Sequence, residues 1–321
     1  MPIISRSDNA YAAPDGSRSG LIPTGYSNDI IQSAIESSLA LSTFRRVSMP
    51  TGVQHLPVLD VLPVAQWVTG EPNAAGSGGE KATAEQKWKG VVLTAEEIAA
   101  IVVIPEAQLE DSSVNLWSEI TPRLGESIGA AIDGATFSGT NAPASWGSGI
   151  IASAVAAGNV QVAATATEAD YNAAMGLIEA DGFMAEQVYA STAQKAGFRG
   201  WNANGVPTYL SDIRDDKRVD SIYGVDVAYD RTGALGTTHA VVGDPSMALL
   251  GVRTDLQYKV LEEATIDISA EQDGTAMVSL AQQDSIALRV RARFGFAVAN
   301  PVTMLNGTEA TRYPFAAINP A

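Results

Sequence analysis

Cysteine is absent from all 321 residues, which excludes disulfides, thiolate nucleophiles and cysteine-ligated metals. Histidine is scarce as well. His55 and His239 stand far apart, and no His-x-x-x-His or carboxylate–histidine cluster suggests a metal site. No run of 18 apolar residues occurs, so nothing reads as a membrane-spanning helix. The opening MPIISRSDNAYAAPDGS has no apolar signal core, and the expectation is a chain made in the cytoplasm. Basic residues number 20 against 36 acidic ones, for a formal charge of −16. A protein that grips nucleic-acid phosphates needs a basic patch, so this balance argues against that class.

Catalytic motifs are missing too. Gly76, Gly78, Gly79 and Lys81 lack the Gly-x-x-x-x-Gly-Lys-Ser/Thr spacing of a phosphate loop. No Gly-x-Ser-x-Gly elbow stands between a strand and a helix. Carboxylate pairs are plentiful: Glu96 with Glu97, Glu110 with Asp111, Asp215 with Asp216, Glu262 with Glu263. In so acidic a chain they read as solvated surface before they read as a glycosidase pair. No catalytic, cofactor-binding or metal residue is assigned, and the expectation is a protein that is not an enzyme.

What is present is a long helix. Residues 112–137, SSVNLWSEITPRLGESIGAAIDGATF, carry Val114, Trp117, Leu124, Ile128, Ala131 and Ala135 at helical spacing on one face. Glu110, Asp111 and two serines supply caps and negative charge where the dipole favours them. Gly139 suits a left-handed terminus. Pro122 predicts either a kink or a second helix capped by Thr121. Gly125, Gly129 and Gly134 predict close approach of another backbone.

Before the helix, residues 1–26 are rich in Ser, Gly, Pro and Asn and read as an arm that cannot fold alone. A short amphipathic helix with Ile30, Ile31, Ala34, Ile35 and Leu39 follows, then extended pieces at 44–49 and 54–59. The apolar runs 61–68 and 87–93 flank a Gly/Ala/Ser/Glu tract and predict a projecting hairpin. Residues 98–104 read as extended, with a turn of helix at 106–110.

After the helix, 139–149 reads as loop and 150–165 as an Ala/Val-rich connector. Thr167 caps a helix over 168–180 with Tyr171, Ala174, Met175 and Ile178 on one face. Strands are predicted at 187–191, 219–229, 239–243 and most of 256–268, with a short helix at 192–199. Residues 285–298, SIALRVRARFGFAV, alternate apolar side chains with Arg289, Arg291 and Arg293, a half-buried strand. Its arginine stripe is either neutralised by neighbouring carboxylates or forms an intersubunit row.

The ordered set resembles the major capsid proteins of tailed bacteriophages, the Hong Kong 97-type fold. The residues that carry the resemblance are the arm 1–58, the hairpin 59–93 and the return KWKGVVLTAEEIAAIVVIPEAQLEDS. To these add VNLWSEITPRLGESIGAAIDGATFSGT, VVGDPSMALLGVRTDLQYKVLEEA and QQDSIALRVRARFGFAVANP. They are similar to that family's N-arm, E-loop, spine helix, axial domain and returning peripheral strand. The implied class is α+β, divided into an N-arm (1–58), an E-loop hairpin (59–93), a peripheral domain with spine helix (94–145), an axial domain (146–275) and a peripheral return (276–321).

The resemblance implies self-assembly into pentamers and hexamers of an icosahedral shell that encloses double-stranded DNA. It also implies a virion location, and portal, scaffold and decoration proteins as partners, without cofactor or membrane. Because the chain starts at its arm, a mature form or a separate scaffold is expected. Trp67, Glu80, Lys81, Trp88, Arg289, Arg291 and Arg293 are the expected assembly contacts. Lys81 lies in the tract where some members carry a crosslinking lysine, but the sequence identifies no partner for it. The rival readings are a compartment of the same fold holding cargo enzymes and a carboxylate-dependent hydrolase.

Overall fold

The computed structural model describes residues 38–63, 85–112, 116–203, 206–207, 221–269 and 275–320. Residues 1–37 of the expected arm, the hairpin tip, Trp67, Glu80, Lys81, Val114 and the Asp215 pair lie outside the described residues. The chain divides into two units. The boundary falls within the long helix, between Ile128 and Gly129, and within two long strands.

The first unit takes residues 97–128 and 254–293 of the described chain. It contains most of the strand Glu96–Pro105, the helix Glu106–Asp111, the first part of the long helix and a two-stranded piece. That piece pairs Thr265–Asp267 antiparallel with Met277–Ser279. In the second unit Arg45–Ser48 pairs parallel with residues 249–252.

The second unit is built on a six-stranded sheet. Its order is Val160–Val162, Phe315–Asn319, Ala240–Gly243, Gln187–Ser191, Val225–Asp230, Ser221–Ile222. The inner strands AVVG and FAAI are buried residue after residue, the texture of strands covered on both faces. The helix Glu168–Ala180 lays Tyr171, Ala174, Met175 and Ile178 against Val188, Ala190, Val242 and Ile318. At its start Thr167 N and Oγ1 both donate to one oxygen of Asp170, at 2.8 and 2.7 Å, which ties the cap to the first turn.

Several expectations need correction. The long helix runs from Leu116 to Phe137 and does not restart at Pro122. The lost backbone bond and clash at proline, about 3 kcal/mol, are outweighed by the burial beyond it. Its buried stripe is Ile120, Leu124, Ile128, Ile132 and Ala135, whereas Ala131 is exposed. Spacing of four down the stripe selects isoleucine over the alanine beside it, because the larger side chain removes more area from water. The hairpin leg opposite Lys87–Thr94 is Val53–Val61, not 61–68. Residues 150–165 are no mere connector: they hold the helix Gly149–Ala157 and the strand Val160–Val162. The strand expected at 219–229 is two strands, broken where Tyr223 and Gly224 both take positive φ.

The small residues divide. Gly129 does admit a close chain, since a Cβ there would meet Ser38 Cβ at 3.2 Å, but a Cβ on Gly134 would meet no other segment within 4 Å. Gly139 ends the helix with φ +73°, and a Cβ there would meet Ser148 O at 2.7 Å.

Candidate functional site

The first candidate surface is the ribbon Val53–Val61 and Lys87–Thr94. Its antiparallel register sets Val53 opposite Thr94, His55 opposite Val92, Pro57 opposite Gly90 and Leu59 opposite Trp88. Period-two alternation then sorts the side chains by face. Leu56, Val58, Val91 and Leu93 pack with Met49, Leu249 and Ala299. The opposite face shows Val53, Trp88 and Val92 to solvent, Trp88 at 63% exposure. Lys89 forms an ion pair with Glu309, and Trp146 Nε1 donates to Thr94 O at 3.3 Å, so the strand Lys87–Thr94 is anchored at two points. Full burial of a large apolar side chain so exposed would contribute about 1.5–3 kcal/mol.

The second candidate is the arginine row on Ser285–Val298. Leu288, Val290, Ala292 and Phe294 are buried between the arginines, so the expected alternation holds from Leu288 to Phe294. It slips at the start, where Ala287 is buried and Ile286 only partly so. The three arginines differ. Arg293 Nε and Nη2 donate to Glu97 Oε2 at 2.7 and 2.5 Å. That bond holds the Glu97 carboxyl below the usual carboxylate range, with the charges of Arg293, Arg291 and Arg289 adding to it. Arg291 donates to the uncharged Gln257 Oε1 at 3.3 and 3.2 Å. Arg289 Nε is buried without a hydrogen-bond partner. Among the described residues, Arg293 is thus the member of the row neutralised by a carboxylate in the manner the sequence suggested.

One feature with no signal in the local pattern is the buried Asp133 on the long helix. Its carboxylate accepts Ser38 Oγ at 2.5 Å and the backbone N–H groups of Leu39 and Ala40, both at 2.9 Å. It thereby caps the helix Leu39–Thr43 from a distance of some 95 residues in sequence. Burial pushes the Asp133 carboxyl up, and these three bonds pull it partly back. Beside it, Phe44, Phe137, Tyr189 and Phe296 form an aromatic cluster with centroids 5.0–6.1 Å apart. Within the segment from Ser38 to Met49, Ser38, Ala40, Phe44 and Met49 are buried.

Of the carboxylate pairs, Glu96 and Glu97 both have partners. Glu97 holds Arg293, and Glu96 accepts Ser145 Oγ at 2.8 Å. His239 faces Ala163 O and Gln194. Among the described residues no group of three or more His, Asp or Glu could hold a metal, and no helix is long and apolar enough to cross a membrane.

Comparison with known proteins agrees with this arrangement. Over 285 residues the chain is 21% identical to the major capsid protein of Staphylococcus phage 80alpha, covering 88% of this chain and 83% of that one. A solved chain from Microbacterium phage Oxtober96 superposes with a TM-score of 0.81 at 35% identity, over 99% of both chains. One from Mycobacterium phage Bobi does so at 0.78 and 33%, again over 99% of both. The fold is the Hong Kong 97-type, and neither a cargo compartment nor a hydrolase is favoured. With the Phage capsid family model matching residues 19–304, this chain belongs to the phage capsid family and is a structural subunit of a phage head shell.

Proposed function

We propose that copies of this chain close into an icosahedral shell of pentamers and hexamers around double-stranded DNA. The observation that carries the reading is the ribbon face bearing the exposed Trp88, an apolar surface on a segment whose other face is already packed. In this reading the hairpin 59–93 overlies a neighbouring subunit, with Trp67, Glu80 and Lys81 in its tip and Trp88 at its base. Arg289 and Arg291 receive acidic groups of that neighbour, while Arg293 remains with Glu97 and orients the row. Residues 146–275, completed by the strand Phe315–Asn319, form the axial domain toward the capsomer centre.

The formal charge of −16 fits a container wall, because it gives packaged phosphates no attractive surface to adhere to. Portal, scaffold and decoration proteins are the further partners of this role, and the host cytoplasm is its site of synthesis.

Expression of the chain followed by size-exclusion chromatography and electron microscopy tests the reading. Shells, or hexamers and pentamers that close on concentration, are expected. Removal of residues 70–86 should leave a folded subunit that does not assemble. Normal shells from that deletion would overturn the hairpin's role, and a chain that stays solitary at high concentration would overturn the whole reading.

A further inference from the structure

We propose that Met184, Met304 and Leu305 form a rigid apolar knob by which one copy of this chain docks on another. The proposal rests on the assembly reading but on residues outside the ribbon and the arginine row.

Among the described residues these are the three most exposed large apolar side chains, at 73, 78 and 72%. They sit on two segments that touch. Thr303 Oγ1 donates to Asp181 O at 2.6 Å, and a Cβ on Gly182 would meet Thr303 Cβ at 2.9 Å. Singly scattered apolar residues need no explanation, but a cluster on adjoining segments does.

Exposure on a loose loop would mean little; this turn is not loose. Asn306 Nδ2 donates to Asp181 Oδ1 at 2.7 Å, and Asn306 N donates to Thr303 Oγ1 at 3.1 Å. The other Asp181 oxygen accepts Asn159 Nδ2 at 2.8 Å and Tyr313 N at 3.0 Å. From the far side Arg312, only 2% exposed, donates to Asn306 O at 2.8 Å and to Asn300 Oδ1 and O at 3.0 and 3.1 Å. The buried Asp181 carboxylate and the buried Arg312 guanidinium therefore both hold Asn306, and the Asp181 carbonyl holds Thr303. Burying such groups is costly even when they are well bonded. Spending that cost to hold Met304 and Leu305 in water brings the isolated subunit nothing. It pre-orders a contact, so that docking loses little further conformational freedom.

The size of the knob selects its occupant. Three such side chains present on the order of 400 Å², against about 800 Å² per partner in a self-sufficient interface. A free partner would not stay bound by the knob alone. A second copy, already held by other shell contacts, needs only an added contact of this size. The knob carries no charge, and the adaptable methionines suit an apolar socket on that neighbour.

The test is shell formation by the full chain carrying M304S and L305S together. Its threshold concentration, read by light scattering and electron microscopy, should rise about tenfold or more. The dispersed subunit should keep its urea midpoint, because the replaced side chains already face water. A second variant covers the possibility that the first does not fold. Since the chain has no cysteine, M304C carries a single thiol. It should react with a small maleimide in dispersed subunits and be protected in shells. Equal reactivity in both would overturn the proposal and leave the knob to a partner from outside the shell. Wild-type shells with an unshifted double variant would overturn the knob alone. A wild-type chain that never assembles would overturn the assembly reading and the knob with it.

Discussion

Replacing Asp133 probes how the segment 38–49 is tied to the long helix. In Asp133→Ala, the Ser38 hydroxyl and the Ala40 N–H lose their acceptor in a region where both residues are buried. Each stranded donor costs about 1–3 kcal/mol. The Leu39 N–H, only part-buried, can turn to water and adds little. Removing the buried charge returns part of this, so the net loss is about 3 kcal/mol. Asp133→Asn should behave differently. One amide oxygen can keep the two bonds made by Oδ1, to Ser38 and Ala40, while the NH₂ opposes Leu39 N–H. That variant should lose about 1–2 kcal/mol.

Urea titration of the dispersed subunit gives both values from the midpoint and slope. The pH dependence supplies a sign as well. Burial raises the folded carboxyl above its unfolded value, so the folded state binds this proton more tightly. The charged form therefore costs stability at neutral pH, and that cost is withdrawn as the pH falls through the raised value. Asp133→Asn should flatten this part of the stability profile. Equal losses for alanine and asparagine, or a loss below about 0.5 kcal/mol for alanine, would refute the cap.

Trp88→Ser should change subunit stability by less than about 0.5 kcal/mol, since the ring is mostly in water, yet raise the threshold for shell formation; light scattering checks both halves against unfolding data. Arg293→Ala should raise the Glu97 carboxyl toward its ordinary value, read by NMR titration. Because the folded value is depressed, the pair's stabilisation is present at neutral pH and is lost as the pH falls through that value, so variant and parent should converge in acid. Gly139→Ala should cost about 2 kcal/mol or more, because the residue holds φ +73° and a Cβ would sit 2.7 Å from Ser148 O. An unchanged thermal midpoint would contradict the strain.

Local physics made much of this protein readable from its residues. The helix Glu168–Ala180 follows from Thr167, Asp170 and four apolar positions at helical spacing, all of which are local. The strand Ser285–Val298 is legible in its alternation, and the terminus of the long helix in Gly139. The order of such elements along the chain was enough to identify the family. What the residues could not reveal are the non-local choices. Period alone allows Ala131 or Ile132 on the inner side of the long helix, and only the packed core selects the larger one. Lys87–Thr94 could pair with either apolar run before it, because pairing energy depends on what lies beneath the ribbon. Nothing local marks Asp133 as the cap of a helix some 95 residues earlier, or separates Arg293, which has a carboxylate, from Arg289, whose Nε has no partner. Those facts are partnerships across the chain, and a partner exists only once the backbone has brought it within about 3 Å.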